Sequence, residues 1–141
     1  MAFGVKFSCS NCQWRISASG LNGYYENDAG EKGYIQHPCE HSDPNFQKYG
    51  IQGFAHDFIC LHCGRKYTVY LPFPFGPRHD DCYGGPEEAS IKEAKGTKKL
   101  CDCGNELAYF RNLKDRISAG EKIPCPNCHS GYLLCGKGWI T

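Results

Sequence analysis

Eight of the eleven cysteines in this 141-residue chain fall into four close pairs: Cys9/Cys12, Cys60/Cys63, Cys101/Cys103 and Cys125/Cys128. Two cysteines separated by two residues on a tight turn can point both sulfurs at one ion, and two such turns complete a tetrahedron with metal–sulfur distances of about 2.3 Å. Residues 60–67 read Cys-Leu-His-Cys-Gly-Arg-Lys-Tyr. The glycine after the second cysteine permits the positive φ that brings backbone N–H groups toward the thiolates. Residues 124–128, Pro-Cys-Pro-Asn-Cys, form a second knuckle stiffened by prolines. The other two depart from the pattern: Gln13 follows Cys12, and Cys101-Asp102-Cys103 has a single spacer. The fourth knuckle departs in one respect too, because His129 and not glycine follows Cys128.

These knuckles, with the alternating apolar residues on either side of them, resemble the zinc-ribbon and rubredoxin-like families, in which paired knuckles on β-hairpins clamp a metal. The resemblance covers residues 3–18 with 54–71, and 98–135. It implies a small metal-stapled, mostly β fold of two zinc-ribbon-like units of β-hairpins with short helices. The expected assignment is sequential: Cys9, Cys12, Cys60 and Cys63 on one zinc, and Cys101, Cys103, Cys125 and Cys128 on another. Interleaved pairing, such as Cys60/Cys63 with Cys125/Cys128, is the competitor and would fuse the units into one domain. Iron is the minority alternative, because thiolate sites accept either ion. A filled four-thiolate site has no open position, so it supports folding and not Lewis-acid catalysis, contributing about 10–16 kcal/mol of apparent binding free energy.

Three cysteines remain. Cys39 lies in His37-Pro38-Cys39-Glu40-His41 and Cys82 in Arg78-His79-Asp80-Asp81-Cys82. Cys39, His41, His79 and Cys82 together are a possible third, mixed metal site, which would raise the count to three zincs. With only three protein ligands it could activate water, with Glu40, Asp80 and Asp81 as candidate bases. Ordinary loop residues, a Cys39/Cys82 disulfide, or His37 as a ligand are the alternatives. Cys135, in an expected strand, reads as a small buried hydrophobe. His62 and His129 read as surface groups beside the knuckles.

The elements that must hold these groups are short. Phe3, Val5 and Phe7 alternate with Gly4, Lys6 and Ser8, and Trp14, Ile16 and Ala18 alternate after the first pair, predicting a hairpin with the cysteines at its bend. The same pattern surrounds Cys60/Cys63. Pro86 to Gly96 predicts a helix with acids in its first turn, lysines in its last and glycine as its stop. Asn112 to Ala119 predicts another, capped by Asn112. Leu107–Phe110, Tyr132–Leu134 and Trp139–Ile140 predict strands. The expected domains are residues 1–84 as a first unit with a long loop insertion at 19–53, 85–97 as a helical linker, and 98–141 as a second unit.

Sixteen Lys and Arg against fifteen Asp and Glu leave a formal charge of +1, which argues against a dedicated phosphate-tracking domain. Nothing in the first ten residues reads as a secretory signal, and no apolar run approaches membrane-spanning length. The expected compartment is therefore the reducing cytoplasm, where clustered thiols hold metals. Pro124-Cys125-Pro126-Asn127-Cys128 matches half of the nucleobase-deaminase signature, but none of the six histidines has glutamate two residues later. No phosphate loop, nucleophile elbow or His-Glu-x-x-His helix is present.

Function is expected to be non-enzymatic: an adaptor or accessory subunit binding a protein partner through aromatic loops, with Tyr24, Tyr25, Tyr34, Phe46, Tyr49, Phe73 and Phe75 as the anchors. Trp14, Tyr67, Phe110 and Trp139 are assigned to the core. The alternatives are nucleic-acid binding, using Lys92, Lys95, Lys98, Lys99, Arg111, Lys114 and Arg116, and rubredoxin-like electron transfer. No small-molecule substrate or membrane contact is indicated.

Overall fold

The computed structural model describes residues 3–35, 43–79 and 85–140. Strands β1 (Phe3–Cys9) and β2 (Arg15–Gly20) form the predicted hairpin, with Val5 opposite Ala18 and Phe7 opposite Ile16. At Leu21 the backbone turns into the left-handed region, φ 61°, and the chain leaves one sheet for another. That conformation is unfavourable for a branched side chain, and burial of Leu21 among apolar neighbours offsets it. Strands β3 (Asn22–Glu26) and β4 (Lys32–Tyr34) follow. Helix α1 (Pro44–Tyr49) starts on Asp43, whose carboxylate accepts from the Asn45 N–H at 2.8 Å, satisfying an otherwise unpaired donor. Strands β5 (Gly53–Cys60) and β6 (Lys66–Pro72) make the second hairpin, then come helix α2 (Gly85–Gly96), strand β7 (Leu107–Tyr109), helix α3 (Phe110–Ser118) and strand β8 (Leu133–Ile140).

The result is mostly β, with two antiparallel sheets. One has the order β2-β1-β8, the other β4-β3-β5-β6 with β7 also on β5. Because β6 runs along the whole of one edge of β5, β3 and β7 divide the other edge, at residues 53–55 and 58–60. The expected division into units 1–84 and 98–141 is not how the strands are arranged. Strand β8 pairs with β1, Cys135 opposite Phe7, and β7 pairs with β5, Ala108 opposite Ile59. The last third of the chain thus completes both sheets started by the first.

The larger of two apolar clusters follows from that pairing. Val5, Phe7 and Ala18 from the first hairpin pack with Phe58, Ile59, Tyr109, Phe110, Leu113 and Leu133, each large side chain contributing about 1.5–3 kcal/mol by leaving water. The cap of helix α3 lies three residues before the predicted Asn112, at Tyr109, with no side-chain cap hydrogen bond. Burial of Phe110 and Leu113 sets its start instead.

The expected insertion, 19–53, is not a plain loop. It carries β3, β4 and α1 around a second small core of Leu21, Ile35, Phe46, Ile51, Phe54 and Phe73. A two-bond bridge between Ile51 and Arg78, 2.7 and 2.9 Å, ties it to the segment after β6. Of the seven loop aromatics expected to be anchors, Tyr24, Phe46 and Phe73 are buried, and Tyr25 stacks on Tyr49 at 5.9 Å. Only Tyr34 and Phe75, 50 % and 61 % exposed, remain outward. Phe110 is fully buried, and Trp14 and Tyr67 pack partly buried against the core, as expected. Trp139 lies where only the strand backbone is described.

Candidate metal centres

The first two cysteine pairs sit where strands β1 and β5 give way to a tight turn, the last two follow the single bridge residues Leu100 and Pro124, and the same backbone clamp closes all four. Cys9, Cys60, Cys101 and Cys125 each donate their N–H to a carbonyl four to six residues ahead, on Trp14, Arg65, Asn105 and Gly131, at 2.8–3.0 Å. The residue after the second cysteine is left-handed in three of the four: Gly64 at φ 80°, Gly104 at φ 90°, and His129 at φ 59°. The single-spacer turn at Cys101 therefore works as a knuckle, with Gly104 supplying the positive φ.

The pairs combine in a nested order. Cys9, Cys12, Cys125 and Cys128 form one group, and Cys60, Cys63, Cys101 and Cys103 the other, each with four sulfurs within 4.8 Å of one another. The expected sequential assignment is corrected: the first knuckle closes with the last and the second with the third. The strands dictate this, since β8 on β1 carries the fourth knuckle to the first, and β7 on β5 carries the third to the second. Within the groups, Cys9–Cys128 and Cys12–Cys125 sulfurs lie 3.6 and 3.7 Å apart, and Cys60–Cys103 and Cys63–Cys101 both 3.5 Å. A tetrahedron with bonds of about 2.3 Å has edges of about 3.8 Å, whereas a disulfide is about 2.05 Å. The donor sets fit a metal ion, and all eight thiols are free of disulfides.

N–H groups converge on the sulfurs. Asn11 and Cys12 donate to Cys9 at 3.2 and 3.3 Å, Trp14 to Cys12 at 3.4 Å, Asn127 to Cys125 at 3.3 Å and Gly131 to Cys128 at 3.4 Å. The Asn127 side chain crosses to Cys12 at 3.5 Å, and Asn11 reaches Ser130 Oγ at 3.1 Å. In the second group the Tyr67 hydroxyl lies 3.2 Å from Cys101 Sγ, and Asn105 Nδ2 donates to Cys103 at 3.4 Å. These donors favour the thiolate. The Gly131 N–H and Ser130 bring the Cys128 thiol down to about 5, and the Cys103 N–H with Tyr67 brings Cys101 down to about 6. Burial pushes Cys60 and Cys125 up to about 11, a penalty that a bound cation reverses.

Residues outside the knuckles fall as follows. Cys39, His41 and Cys82 of the possible third site lie outside the described residues, as do His37, Glu40, Asp80 and Asp81. His79 is exposed, its ring 6.4 Å from that of Phe46. Cys135 is half-buried against the main core, its thiol pushed up by burial. Of the seven basic residues, Lys95 is offset by Asp115 at 3.8 Å and Arg116 by Glu121.

Sequence reasoning missed a buried polar chain on β5. His56 is fully buried, with Nδ1 2.8 Å from the Tyr109 hydroxyl and Nε2 2.8 Å from Ser90 Oγ. Asp57 beside it accepts from the Ser19 N–H at 2.8 Å and Thr68 Oγ1 at 3.1 Å. The only signal was two polar residues inside an apolar run, Phe54–Ile59. A serine bonded to a histidine is also how a nucleophile meets its base, but Ser90 is 5 % exposed and the imidazole's other side meets a phenol. The chain pins α2 and β7 to β5. Among the described residues no helix is long and apolar enough to cross a membrane. No family model matches the chain, and neither the curated proteins nor the solved structures contain a match to it.

Proposed function

We propose that this protein is a non-enzymatic, zinc-stapled adaptor or accessory subunit of the reducing cytoplasm, built to present a surface to a protein partner. The observation that carries this reading is the closure of both cysteine groups: four sulfurs at near-tetrahedral spacing use every position of a zinc ion. Such an ion contributes folding energy and offers no vacant site to a substrate. One zinc would join the first and last knuckles of the chain and the other the second and third, tying the two hairpins and the last third of the chain into one scaffold.

The partner surface is Phe75 and its neighbourhood. Phe75 stacks on Phe73 at 5.1 Å and carries the Arg78 guanidinium 5.5 Å from its ring centre. An exposed ring held rigid by a buried one loses little freedom on binding, and aromatic and arginine side chains dominate protein interfaces. Nucleic-acid binding ranks lower, because acidic partners engage Lys95 and Arg116. Electron transfer requires iron in place of zinc.

Elemental analysis of native material, with co-purification from the source, tests the proposal. Two zincs per chain and a stoichiometric protein partner, lost on Phe75→Ser without loss of zinc, are the expected results. Iron in the sites, or a chain without a partner, overturns the reading.

A further inference from the structure

The two cysteine groups lie close enough for their knuckles to touch. A β-carbon at Gly64, in the second knuckle, would stand 3.0 Å from Trp14 Nε1 and 3.5 Å from Pro126 Cγ, on the first and fourth. This brings His62, between Cys60 and Cys63, to face His129, which follows Cys128. Their ring centres are 6.3 Å apart with planes inclined at 45°. Both rings are exposed, and both line one cleft of about 430 Å³ with Glu106, Arg116, Ile123 and Pro124.

A second, independent feature singles out His129. It occupies the left-handed position that Gly64 and Gly104 fill in the other knuckles, at φ 59°. Glycine takes that conformation freely, whereas a side chain there brings its Cβ against the following carbonyl oxygen. A strained residue at a position open to glycine points to a use for its side chain.

We propose that His62 and His129 form a third metal site, open to solvent, that takes a divalent first-row transition ion such as zinc or nickel. Imidazole suits these ions. Bonds of about 2.0–2.1 Å to the facing nitrogens set the ring centres roughly 4.5–6.4 Å apart, from right-angled to linear coordination. The observed spacing is at the wide end, and rotation of two exposed side chains closes it. No third ligand converges with the pair among the described residues, so water fills the remaining positions. Unlike the thiolate sites, this one binds weakly and exchanges, leaving the ion able to accept a ligand from outside.

Equilibrium dialysis of the protein already holding two zincs against buffered free zinc, with the metal counted on both sides of the membrane, tests the site. One further equivalent should bind, and competition with free imidazole should remove it while two zincs stay. His62→Ala and His129→Gly should each abolish the third equivalent and leave two. His129→Gly removes the imidazole without altering the backbone requirement, so its thermal unfolding should be unchanged or higher. A wild-type chain that stops at two, or a third equivalent that survives in either variant, overturns the inference. A count below two before titration instead counts against the zinc-scaffold reading.

Discussion

Gly131 stands directly against the Cys9 sulfur: a β-carbon at 131 would lie 2.5 Å from Cys9 Sγ and 2.7 Å from Asn11 Cβ. The N–H of the same glycine donates to Cys128 Sγ. Position 131 therefore serves sulfurs from both ends of the chain, and its lack of a side chain lets the first knuckle close on the fourth.

Gly131→Ala should accordingly expel the ion from the Cys9/Cys12/Cys125/Cys128 group while sparing the other. Backbone and a ligating sulfur cannot yield as a flexible side chain would. Elemental analysis should fall from two metals per chain to one, with a clear drop in thermal stability. Gly96→Ala is the control, since nothing lies within 4 Å of the added carbon; it should keep both metals. Two metals in the Gly131→Ala protein would contradict the geometry.

Nested pairing makes a second prediction that sequential pairing reverses. A fragment of residues 1–97 contains Cys9, Cys12, Cys60 and Cys63 but lacks β7 and β8, so each group keeps only half its sulfurs. The fragment should neither fold nor hold stoichiometric zinc, as seen by circular dichroism and metal analysis. Under sequential pairing it would fold around one ion.

Tyr67→Phe should loosen only the second group. The Tyr67 hydroxyl meets Cys101 Sγ at 3.2 Å and accepts from the Asp102 N–H at 3.3 Å, and losing a hydrogen bond to a charged group costs about 1.5–3 kcal/mol, less where water replaces it. Zinc release to a chelator should become biphasic, with one ion leaving several-fold faster and the other at the wild-type rate. Uniform release would remove Tyr67 from its assigned role.

The knuckles and hairpins were legible because they are local. Val5 and Phe7 alternate, the cysteines pair at the bends, and Pro86 and Gly96 bracket a helix. Which knuckle closes with which was not legible, because cysteine spacing carries no partner information; strand pairing between β1 and β8 decides it across more than a hundred residues. The loop aromatics misled for a related reason. Tyr24 and Phe73 lie among Gly, Asn and Pro, a composition typical of surface segments, yet long-range contacts with Phe54 and Tyr70 bury them. His56 was invisible because its partners, Ser90 and Tyr109, come from two other elements.

His56 also sets a pH dependence of stability. Burial, aided by the Arg111 charge, lowers its pKa from 6.5 to about 4 in the fold, while in the unfolded chain it returns to about 6.5. Between those values the unfolded state binds a proton that the folded state excludes. The contribution is fully present above pH 6.5, declines as pH falls, and is gone below about 4, a total on the order of 3 kcal/mol over 2.5 pH units. Acid also releases metal from thiolates, so the comparison must be internal. His56→Gln keeps a polar group beside Ser90 and Tyr109 but cannot titrate. It should be less stable than wild type at pH 7.5 by urea unfolding, and the gap should narrow steadily as the pH is lowered to 5. Parallel curves for the two proteins would show that the imidazole does not couple protonation to folding.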